Sequence, residues 1–162
     1  MEIIKVAAED KDIVSSIIKK SFAKQAQILG ITAKEYPSYV AFENPKDVVR
    51  AIKNGESVYL LKTIVGVNIG TVRFNLDKND PTRGYINRLA VLPEYRKNSY
   101  GKILMSFAEA ELAKRSVRKA TISIVKGFER LQAYYQELGY RVARDAHYPQ
   151  LPFEVRYMEK LI

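Results

Sequence analysis

Residues 89–102 read Leu-Ala-Val-Leu-Pro-Glu-Tyr-Arg-Lys-Asn-Ser-Tyr-Gly-Lys. An apolar, strand-like run from Tyr85 to Leu92 is halted at Pro93, a short basic loop follows, and an amphipathic helical pattern opens at Gly101 and Lys102. A chain passing from loop into helix leaves the first backbone N–H groups of the helix without internal acceptors. Those donors, with the positive end of the helix dipole, suit a phosphate group. Arg96, Lys97 and Lys102 add side-chain cations at the same point. Ligands of α/β sheets bind just beyond strand ends. The stretch Arg96, Lys97, Asn98, Ser99, Tyr100, Gly101 and Lys102 is therefore expected to cradle a pyrophosphate. The competing reading is an ordinary strand-to-helix connection that binds nothing.

Outward from this loop, the pattern predicts a strand over Glu2 to Ala7 and a helix over Asp10 to Phe22, with Ile13, Val14, Ile17 and Ile18 opposite Lys19 and Lys20. A second short helix, Gln25 to Leu29, would end at Gly30. Tyr36 to Glu43 reads as loop, and Asn44-Pro45 as an N-cap followed by proline at the first helical position, the helix running to Asn54-Gly55. Strands are expected over Val58 to Thr63, Val65 to Leu76 and Thr82 to Leu92, with a turn at Asp77 to Pro81. After the loop come a helix over Gly101 to Arg115, a buried strand over Ala120 to Val125, a helix from Phe128 to Leu138 closed by Gly139, and a last strand from Phe153 to Leu161. Antiparallel strands followed by a strand–helix–strand–helix unit imply an α/β (α+β) fold: a single mixed, mostly antiparallel sheet with helices on both faces. Residues 1–162 are read as one domain.

Composition narrows the function. The chain has 47% hydrophobic and 28% charged residues, which fits a folded domain with a core. No apolar run is long enough to cross a bilayer, since Lys62 interrupts the best candidate, Val58 to Val67, and the N-terminus has no signal-peptide pattern. There are no cysteines and a single histidine, His147. Disulfides, thiolate metal sites, a His-cluster metal site and a cysteine nucleophile are thereby excluded, and a cytoplasmic setting is expected. The net charge of +9 raises the question of nucleic acid. The basic residues are scattered and no nucleic-acid-binding motif accompanies them. A basic surface equally suits a polyphosphate coenzyme steered to its cleft. Lys114, Arg115, Arg118 and Lys119 are read as cations at a helix C-terminus.

Arg96-Lys97-Asn98-Ser99-Tyr100-Gly101 resembles the Arg/Gln-x-x-Gly-x-Gly/Ala acetyl-CoA loop of the GCN5-related N-acetyltransferases (GNAT), with Ser99 at the first glycine position. Leu89 to Tyr95 is similar to that family's lead-in, and Leu131-Gln132-Ala133-Tyr134-Tyr135-Gln136-Glu137-Leu138-Gly139-Tyr140 to its late helix. The tail from Leu151 to Ile162 looks like the closing strand of an uncharacterised bacterial branch. The specific resemblance covers residues 84–162; the N-terminal half matches only in element order. It implies a GNAT-like acyl-CoA acyltransferase fold and acetyl-CoA as acyl donor, with no metal. The partners it implies are the coenzyme and a primary amine of a small molecule or peptide; a homodimer stays open.

The resemblance also implies roles. Backbone groups of Leu89, Ala90 and Val91 would pair with the pantetheine arm like an added strand, and an N–H at Val91 or its neighbour would steady the oxyanion. Ser99 needs a negative φ or carries a small cost if φ is positive; its hydroxyl is a spare donor to phosphate. Tyr135 stands at the position of the family tyrosine that protonates the departing thiolate, and a phenol is protonated at neutral pH. The alternative for Tyr134, Tyr135 and Tyr140 is aromatic packing. The asparagine that often precedes this tyrosine is replaced by Phe128. Where many relatives carry a glutamate base, this chain has Tyr85, with Asn87 nearby. That leaves a water chain, a carboxylate such as Glu43 or Glu154, His147, or an acceptor arriving as the free amine. Without cysteine, acyl transfer would be direct. The competing functions are a non-catalytic acyl-CoA-binding or sensor module and, third, a basic nucleic-acid-binding protein.

Overall fold

The computed structural model describes residues 1–162. The chain runs β1 (Glu2–Lys5), α1 (Lys11–Leu29), α2 (Pro45–Lys53), β2 (Ser57–Lys62), β3 (Asn68–Leu76), β4 (Arg83–Val91), α3 (Tyr100–Lys114), β5 (Lys119–Val125), α4 (Glu129–Glu137), β6 (Arg141–His147) and β7 (Glu154–Leu161). The seven strands form one sheet in the order β1-β2-β3-β4-β5-β7-β6. Only the β4–β5 pair is parallel.

Strand alternation sends side chains to both faces, and helices cover each. On one face Leu104, Met105, Ala108 and Leu112 of α3 pack with Ile69, Phe74, Ile86 and Ile122. On the other, Val14, Ile17 and Ile18 of α1 and Val48 of α2 pack on Val58, Leu60 and Ala90. Ala90 and Val91 are successive residues and lie in opposite layers.

Three expectations are corrected. The two short helices before Gly30 are one, α1, because nothing between Asp10 and Gly30 breaks a helix; Gly30 ends it in a left-handed conformation at φ 65°. The third strand begins at Asn68 rather than Val65, since Thr63 to Gly66 make the hairpin turn, closed by Gly66 N–H donating to the Thr63 carbonyl at 3.0 Å. Third, Arg141 to His147 form a strand that the sequence pattern does not predict. β6 is a sheet edge paired only with β7, and all its residues but Ala146 are exposed, so it has none of the apolar alternation that marks a half-buried strand.

Candidate functional site

β4 and β5 begin as neighbours and then part. Their pairing covers only Arg83 to Tyr85 against Lys119 to Thr121, while β5 stays paired with β7 to Val125. The cause lies on the other edge of β4. Arg73 pairs with Asn87 and Thr71 with Ala90, so β4 carries an extra residue there. Arg88 takes up that bulge in a left-handed conformation, φ 52°. A bulge bends its strand and re-aims side chains. The β4 edge beyond Tyr85 thus faces a cleft of about 1090 Å³, walled by the diverging strands, α4, the N-terminus of α3, α1 and the loop at 38–40.

The loop from Arg96 to Lys102 closes one end of this cleft. Lys97 and Ser99 both have left-handed backbones, φ 68° and 62°. The N–H groups of residues 97–102 donate to no protein acceptor; the first helical bond is Ile103 N–H to the Ser99 carbonyl at 3.0 Å. Alternating left- and right-handed residues turn successive N–H groups toward one point, the geometry of an anion nest. Asn98 buttresses the loop, its amide donating to the carbonyls of Tyr95 and Arg96, each at 3.2 Å. It and Ala90 are the two expected coenzyme residues whose side chains do not line the cleft. Gly101 is fixed by contact: a Cβ there would lie 2.5 Å from the Tyr134 hydroxyl.

Arg96 is held differently from the expectation of a free phosphate ligand. Its Nη2 donates to the Ser21 carbonyl at 2.6 Å and its Nε to the Val91 carbonyl at 3.3 Å. Ser21 Oγ also donates to the Val91 carbonyl, at 2.7 Å. These bonds tie α1, the end of β4 and the loop together, and they occupy the Val91 carbonyl, one of the backbone groups expected to meet the pantetheine arm. The lysines at 97 and 102 line the cleft without forming an ion pair.

Ser99 has the positive φ that glycine would adopt freely, and its side chain makes no capping bond. A left-handed backbone costs about 1–2 kcal/mol for an L-residue with a side chain, and glycine offsets part of that through its unfolded-state entropy. Ser99→Gly is therefore expected to leave the melting temperature unchanged or slightly raised, with the acetyl-CoA dissociation constant within about threefold by isothermal titration. That threefold ceiling corresponds to about 0.6 kcal/mol, below the contribution of a typical neutral hydrogen bond. A tenfold loss of affinity would assign the hydroxyl to phosphate.

Three tyrosines on or just after α4 differ in their environments. Tyr140 is in the core and donates to Glu109 Oε1 at 2.9 Å. Tyr134 and Tyr135 meet edge to face at 5.2 Å, and both line the cleft. Burial pushes the pKa of each upward, that of Tyr135 strongly. Tyr135 is 9% exposed, and its hydroxyl has no hydrogen-bond partner in the protein. It is thus a protonated donor at the cleft wall with nothing to donate to.

None of the carboxylates or the histidine considered as a base lines the cleft. Glu43 is 2% exposed and held by Arg73 and Arg88. Glu154 is exposed and paired with Lys126 at 2.9 Å, and His147 is the exposed last residue of β6. Tyr85 donates to Asp77 Oδ2 at 2.7 Å in the preceding turn, which draws its pKa upward. Asn87 does face the cleft. Sequence reading missed the opposite end of the cavity, where Arg88 meets Tyr39, Gln25 and Phe153. The Tyr39 hydroxyl donates to Gln25 Oε1 at 3.0 Å, and its ring meets Phe153 edge on at 5.5 Å. Burial raises the Tyr39 pKa to about 12 against the opposing pull of Arg88. The only advance signal was an arginine inside an apolar strand. No group of three His, Cys, Asp or Glu side chains is arranged to hold a metal, and no helix is long and apolar enough to cross a membrane.

The acetyltransferase (GNAT) family model matches residues 26–140. No curated protein matches the chain in sequence. Among solved structures, the PaiA N-acetyltransferase of Thermoplasma acidophilum in complex with coenzyme A superposes with a TM-score of 0.77 at 20% identity, covering 99% of this chain and 98% of that one. An acetyltransferase from Thermus thermophilus gives 0.75 at 14% identity, with 99% and 96% covered. The ribosomal-protein-alanine N-acetyltransferase of Brucella melitensis gives 0.71 at 12% identity over 100% of both chains.

Proposed function

This chain belongs to the acetyltransferase (GNAT) family of N-acyltransferases, and we propose that it moves an acetyl group from acetyl-CoA directly to a primary amine of a small molecule or peptide, with residues 1–162 acting as one domain. The observation that carries the reading is the run of unpaired N–H groups at residues 97–102, set at one end of a cleft whose wall is an unpaired strand edge. Donors in that number need an anion or water, and a diphosphate supplies several acceptor oxygens in one rigid group. The solved neighbour that holds coenzyme A shares the fold. Lys97 and Lys102 add charge, and Arg96 holds the loop in place through Ser21.

The β4 edge at Leu89 and Ala90 would take the pantetheine arm as an added strand, and the Val91 N–H or its neighbour would face the carbonyl oxygen as it gains charge. The amine nitrogen attacks the thioester carbon, the new C–N bond forms, and the C–S bond breaks. Tyr135 gives its proton to the departing sulfur and is reprotonated from solvent; the amine loses its proton to water. No cysteine exists to carry the acyl group. A cytosolic setting suits a chain without cysteine.

Acetyl-CoA at a hundredfold over its dissociation constant should add about 2.7 kcal/mol to stability. That is a rise in melting temperature of about 5–11 °C for a domain of this size. Coenzyme fragments lacking the pyrophosphate should stabilise far less. No shift at millimolar acetyl-CoA would end the assignment. The absence of a carboxylate base among the expected residues favours one second reading, a module that binds acyl-CoA without turnover. Acceptor-dependent release of free thiol across an amine library separates the two.

A further inference from the structure

Arg88 stands where two cavities meet. It lines the large cleft and also a polar pocket of about 400 Å³ between β3, β4 and α2. Its backbone is held at φ 52°, an arrangement a long side chain adopts only when its surroundings impose it. The Arg88 Nε donates to Glu43 Oε1 at 3.1 Å, and the rest of the guanidinium has no protein acceptor. Glu43 is shared with Arg73, which is 5% exposed and whose Nε has no partner either. Two guanidinium groups therefore face one carboxylate, and the surplus positive charge is carried by the end of Arg88 that reaches the cleft.

The rest of that end of the cleft is short of anions. Its cations are Arg88 and Lys24, whereas the carboxylates that line the cleft, Glu129 and Glu137, both belong to α4. Tyr39, Phe153 and Phe22 supply apolar surface beside Arg88. We propose that Arg88 determines acceptor specificity by binding a carboxylate on the acceptor, so that the amine acetylated here belongs to an amino acid or short peptide with a free carboxylate. A guanidinium whose Nε is already engaged offers its two terminal N–H groups to the two oxygens of one planar carboxylate. The apolar wall receives the side chain. A polyamine would bring more positive charge to a cleft whose own lining holds no carboxylate outside α4.

This inference rests on the acetyl-transfer reading of the cleft, and the test keeps the two apart. Acetyl-CoA binding is first measured by thermal shift. Initial rates of thiol release are then compared for amino acids and dipeptides, their carboxamides, aminophosphonate counterparts and diamines. Wild type should favour the carboxylates over the amides by about 10- to 100-fold in kcat/KM, the range of a hydrogen bond to a charged group. Arg88→Gln should bring that ratio to within about threefold, chiefly through KM, and Arg88→Lys should keep part of it. Arg88→Gly, which suits the positive φ, is the second variant where Arg88→Gln folds poorly. Amides or diamines used as well as carboxylates would overturn the proposal. So would preference for the phosphonates, an Arg88→Gln variant with the ratio intact, or coenzyme binding with no carboxylate amine bound or acetylated. Failure of acetyl-CoA to bind at all would instead remove the acetyl-transfer reading beneath it.

Discussion

Tyr135→Phe is expected to lower kcat about 100-fold, inside the usual range for a positioned proton donor, while leaving the melting temperature and acetyl-CoA affinity near wild type. The reasoning starts from what the hydroxyl does not do. It has no hydrogen-bond partner in the protein, so its removal orphans no buried group. The ring stays to pack against Tyr134 and Tyr140, at 5.2 and 5.9 Å between centroids. Burial raises its pKa, so the phenol is protonated at every working pH. The same rise makes it a weaker acid, so its hydrogen bond and proton act only as the C–S bond breaks and charge gathers on the sulfur. The effect is therefore expected in kcat rather than KM.

The neighbouring tyrosines separate chemistry from packing. Tyr140→Phe removes one of the two partners of Glu109, leaving Lys160 at 2.8 Å, and should cost some stability with kcat retained. Tyr134→Phe removes an oxygen that sits against Gly101 in the loop proposed to hold the coenzyme and should act on the coenzyme KM. Steady-state rates with an accepted amine, paired with thermal melts, check all three. Equal, small changes in kcat at Tyr134 and Tyr135 would make Tyr135 structural and leave the thiolate to solvent. A large loss of stability in Tyr135→Phe would refute the account of its hydroxyl as unpaired.

What could be read from the sequence was what local pattern determines. The β4–loop–α3 unit declares itself because a strand-like run, a proline stop, a basic loop and an amphipathic helix are adjacent in the chain. Asn44-Pro45 declares the start of α2 for a similar reason: the cap is a contact three residues long, Asn44 Oδ1 accepting from the Asp47 N–H at 3.0 Å. What stayed hidden depends on partners distant in sequence. β6 is made a strand by its pairing with β7, not by its own polar residues. The bulge at Arg88 is a mismatch between the lengths of β3 and β4 across their ladder, which neither strand reveals alone. The anchoring of Arg96 on Ser21 joins residues 75 positions apart, so the arginine read as a phosphate ligand from its neighbours is, in the fold, also a tie between α1 and the loop.

Glu43 is the position where this dependence is largest, and Glu43→Ala is expected to destabilise the protein by about 3–5 kcal/mol, the cost of breaking a buried ion pair from one side. The residue lies between a single 3₁₀ turn, Val40–Phe42, and the cap of α2, so both neighbours fix its place. Its carboxylate is 2% exposed and takes both Arg73 and Arg88. Arg73 is nearly as buried, with a side chain 6% exposed, so removing the carboxylate leaves an almost wholly buried guanidinium without its counter-charge. Arg88, 30% exposed, loses less because solvent compensates it. For a domain of this size the loss corresponds to a fall in melting temperature of about 6–20 °C. It should persist at high salt, since screening acts weakly on buried pairs. Glu43→Gln keeps the shape and one acceptor oxygen and should cost less. Restoring balance by removing the second charge, as in Glu43→Ala with Arg73→Met, should recover part of the loss, because it is the uncompensated cation, more than the missing attraction, that destabilises the fold. Thermal and urea unfolding of the three variants decide this. A Glu43→Ala protein melting within about 2 °C of wild type, no more than the shift that 1 kcal/mol produces, would mean that Arg73 finds another acceptor, and the positioning of Arg88 would then need a different origin.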